Sequence, residues 1–155
     1  MVSVDVGAEF RLHVDELVRF ATLLVGPDDA TDVVSEVVTT TIARRSLDGV
    51  ENIRAYWFRA VLNTAADWHR TKRRRWRRED RFVLSELSVS DTMPSADARS
   101  LLASLSPQQK AVIFLTYWHD WPPSRIAEVL EVSEGTVRKQ LARAREQLRE
   151  VLHHG

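Results

Sequence analysis

The stretch "SRIAEVLEVSEGTVRKQLARAREQL", Ser124 to Leu148, decides the fold. Ser124 to Leu130 reads as a short helix, "EVS" as a three-residue turn, and the remainder as a longer helix opened by Ser133 as its N-cap. Val137, Leu141, Ala144 and Leu148 follow at spacings of four, three and four, which makes one narrow apolar stripe. At about 100° per residue the far side carries Gly135, Lys139, Ala142, Arg143 and Glu146, flanked by Arg138 and Arg145. A short helix, a tight turn and a longer helix with a cationic outer face make a helix-turn-helix, whose second helix enters the major groove of DNA. Long cationic side chains there reach guanine edges or phosphates. A solvated bundle helix explains the basic residues alone, but not the short helix and turn that precede them.

Upstream, "SPQQKAVIFLTYW" opens a further helix with Ser106 as cap, Pro107 at the first helical position and Gln109 completing a capping box. Pro122 and Pro123 separate it from the short helix. Between Glu79 and Asp97 periodicity is lost and Ser, Asp and Pro gather, as in "SELSVSDTMPSADA". The expected organisation is a domain over residues 8–78, a flexible linker over 79–97 and a second domain over 98–153.

The front half is helical as well. Phe10, Val14, Leu17, Val18, Ala21, Leu24 and Val25 have helical spacing, and Gly26-Pro27 ends that helix. Asp28 and Asp29 supply an N-cap and first-turn carboxylates to a second helix reaching about Arg44, with Ala30, Val33, Val34, Val37, Val38, Thr41 and Ile42 on one face. Its Val and Thr content also suits a strand, but the apolar residues pair rather than alternate. After the loop "SLDGVEN", Asn52 is positioned to cap a long third helix that buries Trp57, Ala60, Val61, Thr64, Ala65 and Trp68 and presents Arg59, Asn63, Asp67 and Arg70 on its other side. The fold class expected is all-α, two small helical domains of which the second is a helix-turn-helix.

Composition narrows the functions. The chain has 155 residues, 44% of them hydrophobic, enough to bury a core, and no cysteine, which excludes disulfides and thiolate chemistry. No apolar run approaches the ~20 residues of a spanning helix and "MVSVDVGAEF" lacks the parts of a signal peptide, so a cytoplasmic protein without a membrane partner is expected. The formal net charge is zero, yet residues 1–53 carry 4 basic and 10 acidic side chains while residues 54–81 carry 10 and 3. The run "RTKRRRWRR", Arg70 to Arg78, holds seven of those basic groups. An acidic front and a basic block imply one basic partner and one polyanionic partner.

Leu105 to Leu148, "LSPQQKAVIFLTYWHDWPPSRIAEVLEVSEGTVRKQLARAREQL", resembles the fourth conserved region of bacterial sigma factors of the extracytoplasmic-function (ECF) group. "DATDVVSEVV" resembles the polymerase-binding helix of their second region, and "NIRAYWFRAVLNTAADWHRTKRRR" the promoter-melting helix. The end "WHRTKRRRWRRE" is most like a subgroup common in actinobacteria. The resemblance implies an alternative sigma factor that binds core RNA polymerase through the β′ clamp helices and the β flap and directs it to promoter DNA. An anti-sigma factor is a further partner it allows. It puts Asp32 and Glu36 on the clamp-binding face, and the loop from Ser46 to Asn52, with Asp48 and Asn52, near the minus-ten element. Asn63 and Asp67 match polar positions of the melting helix, with Arg59 and Arg70 positioned for phosphates. Arg138, Lys139, Ala142 and Arg143 fall where the family contacts the minus-thirty-five element, and Thr136 near a phosphate at the helix start.

The sequence departs from the family in places. Glu131 stands where the turn usually has Gly, so either it takes a left-handed backbone or the turn shifts. Pro122-Pro123 replaces a Ser-aromatic pair, Ser35 a Gln beside the clamp contact, Val38 an aromatic and Ile42 a Trp.

Other readings are weaker. "DDATD", Asp28 to Asp32, has the spacing that holds magnesium diphosphate, but no second acidic motif accompanies it and helix-capping needs explain Asp28 and Asp29. The histidines lack zinc-ligand spacing and no Ser or Thr has an evident base, so no metal, cofactor or enzymatic activity is expected. A LuxR-type regulator shares the "SEGTVRKQL" character but leaves the first 78 residues unexplained. A helical adaptor for RNA or membrane surface lacks the interleaved aliphatics that insertion needs. Trp76, within the basic run, either packs on the domain or stacks near DNA. Arg73, Arg74 and Arg75 are expected to make sequence-independent phosphate contacts.

Overall fold

A computed structural model of the protein describes residues 4–75 and 100–154, with side chains for residues 4–68 and 100–153. Among the described residues the regular elements are all α-helices, as the spacing predicts, and the chain divides into two compact units, Met1–Met93 and Pro94–Gly155. The segment read as a flexible linker, 79–97, lies outside the described residues, as does Trp76.

The first unit is built from α1 (Val6–Val25), α2 (Pro27–Arg44) and α3 (Ile53–Arg75), each packed on the other two. α1 begins four residues before the periodicity does, because the Asp5 carboxylate accepts from the Ala8 N–H (3.2 Å) and caps it. Gly26 ends α1 at φ 89°, a conformation that costs glycine little, and Pro27 opens α2 at its first position. The N-cap of α2 is therefore Gly26 and not Asp28, because the fixed φ of Pro27 starts the helix earlier. Asp28 and Asp29 occupy the first turn, where carboxylates meet the positive end of the helix dipole.

The three helices meet around Leu17, Phe20, Val33, Val34, Leu47, Trp57, Phe58 and Val61, all fully buried. Edge-to-face ring pairs, Phe10 on Trp57 at 5.9 Å and Phe20 on Phe58 at 5.1 Å, tie α1 to α3. A second tie is polar: Arg54 donates through Nε and Nη2 to the two Glu16 oxygens (3.0 and 2.7 Å), and His13 Nδ1 lies 3.0 Å from the same carboxylate. Ile42, expected on the buried face of α2, is 53% exposed. One residue after Thr41 the helix has turned its apolar face away, and α2 closes two residues later.

The second unit holds α4 (Pro107–Tyr117), α5 (Pro123–Leu130) and α6 (Glu134–His154), preceded by helical residues 100–102. Ser106 and Gln109 close the expected capping box, side chain to backbone in both directions (3.2 and 3.1 Å). α5 has Pro123 at its first position and no side-chain cap. Its carboxyl end settles the question Glu131 raised. Glu131 takes the left-handed conformation (φ 57°, ψ 45°), and the Val132 and Glu131 N–H groups return to the Ala127 and Glu128 carbonyls (3.0 and 3.4 Å). α2 ends the same way at Arg45 (φ 48°), with Ser46 N–H on the Thr41 carbonyl (3.1 Å).

A Cβ in that conformation costs roughly 1 kcal/mol, so Glu131→Gly should stabilise the second unit by up to about that amount, partly offset by the freer unfolded chain. Thermal melting checks this through a rise in the second unit's Tm. A fall would mean that interactions of the Glu131 side chain outweigh the strain.

Candidate nucleic-acid interface

The turn fixed by Glu131 leads directly into the cap of α6. Thr136 N–H donates to Ser133 Oγ (3.0 Å), and the two hydroxyls lie 2.9 Å apart. Thr136 is half-buried and its hydroxyl is engaged in the cap. Beyond it Val137 and Ala144 are fully buried and Leu141 nearly so, while Arg138, Lys139, Ala142 and Arg143 are all exposed. Leu148, expected in the same stripe, is half-buried. The four residues form one continuous face, because they step around the helix as i, i+1, i+4 and i+5. Glu134 approaches Arg138 at 4.0 Å, but with both side chains largely in solvent the pair leaves the guanidinium available to other partners.

Two ties that the sequence pattern did not reveal hold α6 against α4. Gln140 donates from Nε2 to Gln108 Oε1 (3.1 Å) and accepts at Oε1 from Gln109 Nε2 (3.3 Å). Arg145, read as flanking the outer face, instead donates from Nε to the Tyr117 hydroxyl (2.8 Å), with its guanidinium 5.7 Å from the ring centre. Burial holds the half-buried Lys110 ammonium on α4 below its ordinary pKa.

In the first unit the candidate residues separate into three places. On α2, Asp32 and Glu36 stand four residues apart and are half-buried. Ser35, between them in sequence, is buried, as is Val38, so both departures from the family pattern are core substitutions rather than surface ones. On α3, Asn63 and Asp67 are exposed and Arg59 half-buried on the expected side. The backbone of α3 continues through Arg70, Arg73, Arg74 and Arg75, whose side chains lie outside the described residues. Trp57 and Trp68 are buried in the core. The half-buried Tyr56 places its hydroxyl 3.0 Å from Thr41 Oγ1.

The third place is the loop between α2 and α3. Asn52 Oδ1 accepts from the Ala55 N–H (3.0 Å) and caps α3, as its position predicts. Asp48 accepts from the Val4 N–H (3.3 Å), so residues before α1 lie against this loop. Residues 4–7, Ile42, Arg45 and Asp48 surround an open cleft of about 320 Å³. The exposed Ile42 is one of its walls. Among the described residues no helix is long and apolar enough to cross a membrane.

Residues 95–148 match the family model described as Sigma-70, region 4. The RNA polymerase sigma-E factor of Streptomyces avermitilis is 33% identical over 150 residues, covering 92% of this chain and 82% of that protein. The ECF RNA polymerase sigma factor SigL of Mycobacterium tuberculosis is 32% identical over 138 residues, 83% of this chain and 78% of its own length. Among solved structures, the sigma factor RpoE of Bartonella quintana, determined in complex with the anti-sigma factor NepR, superposes with a TM-score of 0.68 at 23% identity, covering 96% of this chain and 97% of that one. CnrH, in complex with the cytosolic domain of CnrY, gives 0.67 at 23% identity, covering 96% and 88%. These two share the fold, and the sequence relatives carry the identity across both units. The chain belongs to the RNA polymerase sigma factor family, in its ECF group.

Proposed function

We propose that the chain is an alternative sigma factor that binds core RNA polymerase and directs it to promoters read at two elements. The observation that carries this reading is a relationship to sigma-E and ECF sigma factors that spans both helical units, together with an exposed cationic face on the second helix of a helix-turn-helix. A LuxR-type regulator would use such a helix too, but it gives no account of a first unit that is related to sigma factors along with the second. The polymerase makes the phosphodiester bonds, and this chain contributes recognition in the cytoplasm, where template and polymerase are.

In this reading residues 8–78 form the region 2-like domain and residues 98–153 the region 4-like domain. Asp32 and Glu36 offer carboxylates to the β′ clamp helices, consistent with the acidic balance of the first 53 residues. The β flap is the expected partner of the second domain. Arg138, Lys139, Ala142 and Arg143 read the upstream element, with Thr136 beside a phosphate. Asp48, the amide nitrogen of Asn52 and the cleft against residues 4–7 suit an extruded base of the minus-ten element, while Asn63, Asp67 and Arg59 line the melting helix. An anti-sigma factor fits as a regulator, since the two structural relatives were each determined with a binding partner of that kind or a cytosolic domain.

Purified chain added to core polymerase, with promoter templates selected from its own genome, should support specific initiation. Tight footprints without polymerase, and no initiation with it, would sink the reading. Arg70, Arg73, Arg74 and Arg75 extend this proposal as phosphate contacts. Replacing Arg73, Arg74 and Arg75 with Gln should flatten the salt dependence of promoter binding by a log–log slope of roughly 2 to 3 while leaving promoter choice unchanged. Filter binding between low and moderate salt measures that slope.

A further inference from the structure

We propose that Gln140 is a positioning residue that fixes the rotation of α6 against α4 and so sharpens the choice of upstream sequence without itself touching a base. The proposal rests on the sigma-factor reading above. Gln140 sits between Lys139 on the exposed face and Leu141 in the core, and its half-buried amide is used at both ends, donating to Gln108 and accepting from Gln109. Gln109 is in turn held by the capping box, where its Oε1 accepts from the Ser106 N–H and its own N–H donates to Ser106 Oγ. An unbroken run of hydrogen bonds therefore reaches from the amino-terminal cap of α4 to the second turn of α6.

The apolar stripe cannot do this alone. Val137, Leu141 and Ala144 form a narrow seam with one very small member, and such a seam specifies burial better than rotation. Side-chain tips stand about 5–6 Å from a helix axis, so a 10° turn moves them by about 1 Å. Base-edge hydrogen bonds tolerate roughly half of that. An amide bonded at both ends resists the turn, because rotation shifts it against two partners held on α4 and degrades the geometry of those bonds. The Arg145–Tyr117 bond adds a second tie at the last residue of α4, opposite the first turn that Gln140 engages.

The test uses the full chain with core polymerase and templates carrying either the preferred upstream element or single-base substitutions of it. Gln140→Leu keeps volume and removes both bonds. It should melt within a few degrees of the parent yet reduce discrimination between preferred and substituted elements by about fivefold. Gln108→Leu, on α4, removes one of the two bonds and should give part of the loss, and adding it to Gln140→Leu should cost nothing more. Unchanged discrimination in Gln140→Leu overturns the proposal. So does a loss of which Gln108→Leu reproduces no part, which would make Gln140 a direct DNA contact, or a loss equal on preferred and substituted elements that follows a lowered Tm. A parent chain that never initiates would instead fail the sigma-factor reading itself.

Discussion

Trp57→Ala should destabilise the first unit by about 3–5 kcal/mol, the usual range for emptying a fully buried tryptophan site. Small domains are stable by only ~5–15 kcal/mol, so a unit at the low end of that range would be substantially unfolded at 37 °C. The effect is large because Trp57 lies where all three helices converge, against Phe10 from α1 and beside Tyr56, whose hydroxyl reaches Thr41 on α2. Its indole N–H is buried without a hydrogen-bond partner among the described residues. Trp57→Phe therefore forfeits no hydrogen bond and sheds a desolvated donor, and should cost no more than about 1–2 kcal/mol. Chemical denaturation followed by circular dichroism would measure both values, and comparable losses in the two variants would show that volume is not the controlling term. Hydrogen exchange in α6 should be unaffected by either change if the two compact units unfold separately.

The contrast between Trp57 and Glu131 shows what the sequence could convey. Helices α1 to α6 were legible because apolar residues at spacings of three and four leave a pattern along the chain, even in α2, where Val and Thr also suit a strand. The capping box at Ser106 and the cap at Asn52 were legible because their partners lie three residues away. The outer face of α6 followed from its apolar stripe, and the structure exposes Gly135, Lys139, Ala142, Arg143 and Glu146 as that spacing predicts. What escaped was non-local or conformational. No periodicity pairs Glu16 with Arg54, Val4 with Asp48, or Gln140 with Gln108, since these partners are brought together only by the packing of helices far apart in sequence. Arg45 occupies a left-handed position that glycine would have advertised, whereas at Glu131 the glycine usual in the resembled family had left that conformation as one of two alternatives. Ile42 carried a core-like residue type at the point where α2 turns its face outward, and exposure there depends on where the helix stops.

Arg138 and Arg143 carry the second large expectation. Each guanidinium projects from the exposed face of α6, and a bidentate contact to a guanine edge is worth roughly 1–3 kcal/mol of discrimination. Arg138→Ala and Arg143→Ala should each lower initiation from the preferred promoter by about tenfold to a hundredfold, and the double variant by more. The loss should be specific. When the upstream base facing the removed arginine is substituted, the variant should lose little further activity, whereas the parent loses most of its own. Affinity for core polymerase should change far less, because the carboxylates proposed for the clamp contact, Asp32 and Glu36, belong to α2 of the other unit. Competition for core polymerase against the parent chain checks that point. An equal loss on every upstream sequence, with a salt slope reduced by about 1, would instead make these arginines phosphate contacts. Recognition would then rest on Lys139 and on the surface offered by Ala142, the smallest residue of the face, against which a thymine methyl can pack.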